Sequence, residues 1–193
     1  GVQVNYSAID RADHLVLISF EPEDESPIVF LRAFKQVRKR GLKVTTIAPF
    51  TSRGSKKLKA EVIKSAAGNE SQLIAKISGL TSKSVILVGE RLCESSGGLS
   101  ATLALSQSSG AKLAWIPRRA GERGALEVGA IGTLLPGGRP VNDASARVDM
   151  QSAWGVKSLP ENIGRTTLEI IEGLHNGDID SLLVGGVDPL DIS

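Results

Sequence analysis

The chain has 193 residues, of which 41% are hydrophobic and 23% are charged, and its formal net charge is +2. This composition is typical of a folded globular protein and excludes collagen, coiled coil and intrinsic disorder. No run of residues approaches the roughly 18 apolar residues that cross a membrane, and the first ten residues lack the layout of a signal peptide. The sequence therefore predicts a cytoplasmic chain with no direct membrane insertion.

Residue types that bind metals are scarce. The chain has one cysteine, Cys93, and two histidines, His14 and His175. These residues cannot form a disulfide, a zinc site of cysteines and histidines, or the four-cysteine ligation of an iron–sulfur cluster. We therefore predict no metal site, structural roles for both histidines and an unreactive thiol at Cys93.

The charges are distributed unevenly along the chain. Acidic residues dominate positions 1–31, with a run at 21–25 that we expect to cap a helix, whereas the segment 32–64 is strongly basic. A basic band of this kind is typical of a binding surface or of a solvated face. We expect it to contact an acidic partner or solvent and not nucleic acid, because aromatic residues, which stack on bases, make up only 4% of the chain.

Short, nearly continuous apolar runs alternate with segments of helical periodicity. The runs predict strands buried on both faces, at 15–18, 44–48, 85–88, 113–116 and 182–184. The periodic segments predict helices at 27–40, 70–80, 99–108 and 165–175. The alternation indicates an α/β fold, a Rossmann-like parallel sheet with helices on both faces.

One long segment, 118–160, lacks clear periodicity, and its first part is rich in glycine. Long irregular loops are usually functional or interfacial. We assign residues 1–193 to one domain that includes this irregular segment. No helix follows the strand predicted at 182–184, so we expect the chain to be a fragment of a longer polypeptide.

Three of the predicted strands lead through a small residue to an acid, namely Glu21, Glu90 and Asp188. Open α/β sheets bind ligands at this end of their strands. However, the sequence contains neither a G-x-G-x-x-G nor a G-x-x-x-x-G-K-[ST] motif, and the second strand is followed by Pro49 instead of the acid that holds a nucleotide ribose. We therefore predict no catalytic and no cofactor-binding residues.

Several stretches carry a resemblance to a known family. Positions 12–18, 21–27, 40–44 and 47–49 resemble the molybdopterin oxidoreductase superfamily, in the segment that carries a dinucleotide-binding subdomain. The stretches LVGER at 87–91, GAKLAWIPRRAGERGA at 110–125 and LLPGGRP at 134–140 look like the G subunit family, the large peripheral-arm subunits of bacterial respiratory complex I. The resemblance covers almost the whole chain and marks it as a partial molybdopterin oxidoreductase-like domain.

The resemblance implies a scaffold domain that performs no chemistry of its own. In the G subunit family, iron–sulfur clusters lie in an N-terminal part whose cysteine motifs are missing here, and the downstream region generally holds no molybdopterin. Partners would be other peripheral-arm subunits, and the complex would lie on the cytoplasmic face of the inner membrane. Phe20 and Glu21 stand where superfamily enzymes have a small residue and an asparagine, so a bulky ring and a negative charge would oppose a guanine dinucleotide.

The alternative is the cofactor-binding domain of an active molybdopterin oxidoreductase, similar to a formate dehydrogenase or a nitrate reductase. In that case the loops after the strands at 15–18, 85–88 and 182–184 would line the pocket, with the residues Ser19, Phe20, Glu21, Gly89, Glu90 and Gly185. A free nucleotide-binding or regulatory module is a third possibility.

Overall fold

Four of the five apolar runs of the sequence form strands of a parallel sheet. The computed structural model describes residues 4–118, 121–160 and 164–186. The chain divides into two units, Gly1–Arg123 and Gly124–Ser193. In the first unit, five parallel strands have the order β3-β2-β1-β4-β5. They are β1 (His14–Ile18), β2 (Lys43–Ala48), β3 (Glu61–Lys64), β4 (Val85–Gly89) and β5 (Lys112–Ile116).

Helices connect these strands. They are α1 (Tyr6–Arg11), α2 (Pro22–Glu25), α3 (Pro27–Arg40), α4 (Arg53–Lys57), α5 (Glu70–Ile74), a 3₁₀ helix (Glu90–Glu94) and α6 (Gly98–Ser109). The prediction of helix α3 is confirmed: Pro27 stands in its first turn, and Gly41 ends it in the left-handed conformation with φ of +66°.

The core consists of two clusters, one on each face of the sheet. On one face, Leu15, Leu17 and Leu87 of the strands pack with Phe30 and Ala33 of α3. On the other face, alternate strand residues pack with residues of the helices. The strand residues are Val16, Ile18 and Ile86, and the helix residues are Ile74 of α5, Leu92 of the 3₁₀ helix and Leu105 of α6. Successive strand residues point to opposite faces of the sheet, and the residues directed at each of the two faces are apolar. Helices cover both faces, so the predicted α/β fold is confirmed.

The second unit is described by itself. It contains a two-stranded antiparallel hairpin of β6 (Leu134–Leu135) and β7 (Arg139–Pro140), followed by helices α8 (Ala144–Trp154) and α9 (Thr167–Asn176). Helix α7 (Glu122–Glu127) crosses the boundary between the units. The segment predicted as irregular is therefore partly helical. Helix α8 begins at the Asp143 side chain, which accepts a hydrogen bond from the Ala146 N–H, and ends at Gly155.

One predicted element is wrong, and another is shorter than predicted. The strand predicted at 182–184 has no regular secondary structure, and Leu183 is 98% exposed. An apolar triplet forms a parallel strand only where it pairs with a neighbour, and these residues are unpaired in the described chain. The helix predicted at 70–80 ends at Ile74, where the Ile77 N–H bonds to the Ile74 carbonyl in a tighter i to i+3 turn.

The loops after β1 and β4 lie in direct backbone contact. A Cβ added at Gly89 would overlap the Ser19 carbonyl oxygen and would lie 3.1 Å from the Phe20 Cα. Ser19 itself adopts the left-handed conformation, with φ of +48°. Glycine is therefore required at position 89, because only a residue without a side chain allows the two loops to approach this closely.

We predict that Gly89→Ala lowers the free energy of unfolding by about 2 kcal/mol or more, because backbone must move to admit the methyl group. Urea unfolding followed by circular dichroism measures the change. Gly121→Ala is the matched control, since a Cβ there meets nothing within 4 Å, and its effect should stay within about 0.5 kcal/mol. Equal stability of the two variants would contradict the requirement for glycine at position 89.

Candidate functional site

A cavity of about 740 Å³ lies at the carboxyl ends of β1 and β2. Its walls come from the loops that follow these two strands, from α2 and α4, from the start of α5 and from the 3₁₀ helix after β4. In an open α/β sheet, this edge is the place where ligands bind. It is therefore the candidate functional site of the first unit.

The structure brings some of the alternative cofactor residues together and separates others. Ser19, Phe20 and Glu21 line the cavity. Gly89 packs against the backbone of Ser19 and Phe20, whereas the carboxylate of Glu90 is held by Arg118. Gly185 is exposed in the second unit. Asp188 lies outside the described residues.

Phe20 does not act as predicted from the sequence. We expected its ring to obstruct a dinucleotide, but Phe20 is only 4% exposed and belongs to the core cluster that α3 packs against. The ring is therefore part of the hydrophobic core of the domain. The predicted steric obstruction by the Phe20 ring is therefore wrong, whereas the negative charge of Glu21 would still oppose the phosphates of a dinucleotide.

Glu21 performs a capping role at the start of α2. Its Oε1 accepts a hydrogen bond of 3.2 Å from the Glu23 N–H. The prediction that the acidic run caps a helix is therefore confirmed. The Glu21 N–H in turn donates to Glu25 Oε1 at 2.9 Å. Gly54 of α4 lies directly against the Glu21 carboxylate, so a side chain there would collide with it.

Glu23 joins the loop after β1 to the loop after β2. Its carboxylate accepts a hydrogen bond from Lys57 and lies 3.5 Å from Arg53. The hydrogen bond from Lys57 holds the pKa of Glu23 below its usual value, although partial desolvation acts in the opposite direction. Two bases of the basic band therefore have a partner within the chain, as does Arg32, which pairs with Asp10.

Two further ion pairs extend this arrangement to the loops after β4 and β5. Arg91 Nη2 donates to Glu25 Oε1 at 2.6 Å, which connects the 3₁₀ helix to α2. Arg118 binds Glu90 twice, through its backbone N–H at 2.8 Å and its Nε at 3.0 Å. The backbone hydrogen bond from Arg118 lowers the pKa of Glu90 to about 2, against the effect of burial.

These ion pairs were missed in the sequence because their partners are far apart along the chain. Glu23 and Lys57 are separated by 34 positions, and Glu25 and Arg91 by 66. The signal that could have indicated them is the opposite charge of the segments 1–31 and 32–64. We expected the basic band to meet an acidic partner or solvent, and part of it instead contacts the acidic segment of the same chain.

The cavity itself is acidic. Its lining includes one arginine, Arg91, which is already paired with Glu25. Five carboxylates line the cavity, namely those of Glu21, Asp24, Glu25, Glu70 and Glu94. A dinucleotide brings negative phosphates, which such a lining repels. These residues therefore do not fit the molybdopterin guanine dinucleotide that the superfamily resemblance would suggest.

The residue types that bind metals are dispersed. His14 is buried, and its Nε2 lies 2.8 Å from Thr45 Oγ1, while burial lowers its pKa. Cys93 is exposed on the 3₁₀ helix. Within residues 4–118, 121–160 and 164–186, no three side chains of His, Cys, Asp or Glu come together in a way that could hold a metal ion. Within the same ranges, no helix is long and apolar enough to cross a membrane.

The fold and the site define the class of this protein. It contains a Rossmann-type α/β domain in which charged side chains of the loops at the carboxyl edge bind one another. A comparison with models of known protein families finds no match.

Comparison with curated proteins identifies the family. The G subunit of NADH-quinone oxidoreductase from Mycobacterium tuberculosis is 45% identical over 197 residues, which cover 98% of this chain and 24% of the relative. The corresponding G subunit from Streptomyces coelicolor is 42% identical over 207 residues, which cover 100% of this chain and 25% of the relative. The chain belongs to this family of NADH-quinone oxidoreductase G subunits, and it spans about a quarter of the length of these relatives.

A shorter similarity extends to a second group. A protein of Staphylococcus haemolyticus, named as a putative formate dehydrogenase, is 36% identical over 66 residues, or 34% of this chain. The predicted resemblance to the G subunit family is thus confirmed over nearly the whole chain, whereas the similarity to this protein covers one third of it.

The pair of Glu90 and Arg118 predicts a pH dependence of stability. The pKa of Glu90 in the folded chain, about 2, is below its usual value of 4.5, so the ionised form stabilises the fold. This contribution is complete above about pH 5 and is lost as the pH falls towards about 2. We expect Glu90→Gln to lose less stability than the unmodified chain between these two pH values, as measured by urea unfolding.

Glu172→Gln is the matched control for this measurement, because Glu172 is an exposed glutamate of α9 that is not among the charges acting on Glu90 or Arg118. It should retain the acid sensitivity of the unmodified chain. The interpretation would be wrong if Glu90→Gln were as sensitive to acid as the control.

Proposed function

We propose that the chain is a non-catalytic scaffold domain of the G subunit of NADH-quinone oxidoreductase. The complex that contains this subunit would transfer electrons from NADH through iron–sulfur clusters to quinone. The observation that supports a scaffold role most directly is the series of ion pairs at the carboxyl edge. In an enzyme of this fold, this edge presents side chains to a ligand, whereas here Glu23, Glu25 and Glu90 bind Lys57, Arg91 and Arg118.

The ion pairs also give the domain a mechanical role. They connect the loops after β1, β2, β4 and β5 to one another. Loops that are connected in this way present a fixed surface, which suits a domain that other subunits pack against. We propose that the partners are other peripheral-arm subunits of complex I, on the cytoplasmic face of the inner membrane.

The proposal includes no cofactor in this chain. The acidic lining of the cavity supports this part of the proposal, because the phosphates of a dinucleotide would meet Glu21, Asp24 and Glu70. We propose that the iron–sulfur clusters of the full-length protein lie in its N-terminal part, outside this chain.

A second function is favoured by one observation, the similarity over 66 residues to the protein named as a putative formate dehydrogenase. On this alternative, the chain is the cofactor-binding domain of an active molybdopterin oxidoreductase. Ser19, Phe20 and Glu21 would then contact the cofactor from the lining of the cavity.

Binding of the cofactor distinguishes the two functions. We expect the purified chain to retain no molybdopterin guanine dinucleotide after incubation and gel filtration, measured by the fluorescence of the oxidised pterin. An apo formate dehydrogenase treated in the same way is the positive control. Retention of one cofactor per chain would overturn the scaffold proposal and support the alternative.

A scaffold role also predicts how variants of the full-length protein behave in a bacterium. Gly89→Ala should lower the amount of assembled complex, because it destabilises the domain, whereas Gly121→Ala should leave the amount unchanged. NADH oxidation per assembled complex should be the same in both variants. A lower turnover per complex with normal assembly would indicate that the domain takes part in the chemistry.

A further inference from the structure

Three residues that line the cavity each carry a buried side-chain oxygen with no hydrogen-bond partner among the described residues. These oxygens are Glu25 Oε2, Glu70 Oε2 and Ser95 Oγ. Ser95 is only 6% exposed as a whole residue, and the side chain of Glu25 is 10% exposed. Buried polar atoms are almost always hydrogen-bonded in folded proteins, so three such atoms in residues that line one cavity require an explanation.

The chemistry of these atoms indicates what they would bind. Carboxylate oxygens only accept hydrogen bonds, and a serine hydroxyl both accepts and donates. Glu25 Oε1 is already occupied by Arg91 and by the Glu21 N–H, so its Oε2 is the atom that remains. A group that carries several N–H donors and a positive charge would satisfy the three atoms together.

The remainder of the cavity fits the body of such a ligand. Its volume of about 740 Å³ lies within the range of small-molecule sites, and its apolar lining includes Ile47, Ala48 and Pro49. Phe50, another lining residue, is 66% exposed. An exposed ring beside an acidic cavity provides a face on which a guanidinium or ammonium group can rest.

We infer that this cavity binds an organic cation with a guanidinium or ammonium head. The cation would donate hydrogen bonds to Glu25, Glu70 and Ser95, and its apolar part would lie against the lining from β2. Two sources have this chemistry, an arginine side chain of a partner protein and a free small cation. This inference goes beyond the scaffold proposal, which would stand even if the cavity bound nothing.

Titration with three probes tests the inference on the 193-residue chain. The probes are N-acetyl-arginine methylamide, its citrulline counterpart and agmatine. Citrulline has nearly the same shape as arginine but lacks the charge. We expect the arginine amide to bind with a Kd on the order of 1 mM and at least about ten times more tightly than the citrulline amide. Amide chemical shifts in NMR spectra should change at Glu25, Glu70 and Ser95.

Variants locate the binding site. Glu70→Gln should weaken binding of the arginine amide by about tenfold, and Ser95→Ala should weaken it less, because a hydrogen bond to a charged acceptor is the stronger one. Glu172→Gln is the matched control, since Glu172 is exposed on α9 in the second unit. Binding to this variant should be unchanged.

The outcomes are distinct. Binding of the arginine amide without agmatine would support the inference and identify a protein side chain as the source of the cation. Equal binding of agmatine would support it with a free cation as the source. The inference would be overturned if the citrulline amide bound as tightly as the arginine amide, if Glu70→Gln bound as tightly as the control, or if no probe bound at concentrations on the order of 10 mM.

Discussion

The position of the cavity depends on the contact between Gly89 and the backbone of Ser19 and Phe20. In the strand order β3-β2-β1-β4-β5, the direction of winding reverses between β1 and β4, and a ligand of such a sheet enters between the loops that follow these two strands. Here the two loops touch each other, and a Cβ at position 89 would already overlap the Ser19 carbonyl. The open space is consequently lined by the loops after β1 and β2, and the 3₁₀ helix after β4 provides its other wall.

The acidic run after β1 then determines how the loops are connected. Helix α2 has only four residues, so its acidic side chains lie close together. They stabilise the start of the helix, and their carboxylates are near enough to the neighbouring loops to bind bases there. Glu23 binds Lys57 of α4, and Glu25 binds Arg91 of the 3₁₀ helix. Partly exposed ion pairs of this kind add little to stability. Their main effect is therefore on the relative positions of the loops.

The sequence predicts the parts of this structure that depend on local patterns. The buried strands β1, β2 and β4 are nearly continuous apolar runs, and α3 has its proline and glycine at the expected ends. The apolar run of β5 also predicts a strand, but β5 is an edge strand whose residues are partly exposed and not buried on both faces as predicted. The edge strand β3, with the sequence EVIK, has charged residues at both ends and only two apolar ones, so it carries no such pattern. The triplet at 182–184 has the pattern but pairs with no strand of the described chain, because pairing is a property of the folded molecule. The site is less predictable for a related reason: whether each acid of the 21–25 run caps a helix, pairs with a base or lines a cavity depends on residues far along the chain.

The buried oxygens of residues that line the cavity, which lack a hydrogen-bond partner in the described part of the chain, indicate that the cavity binds a ligand. An unpaired polar atom in a protein interior lowers the free energy of unfolding by about 1–3 kcal/mol. If stability were the only requirement, an apolar residue would be better than serine at position 95. The cost is offset when a donor binds, and the carboxylates of Glu25 and Glu70 require that this donor be positive rather than neutral for the strongest bonds. The same charges that would repel the phosphates of a dinucleotide would attract a cation, and both effects follow from the acidic lining of one cavity.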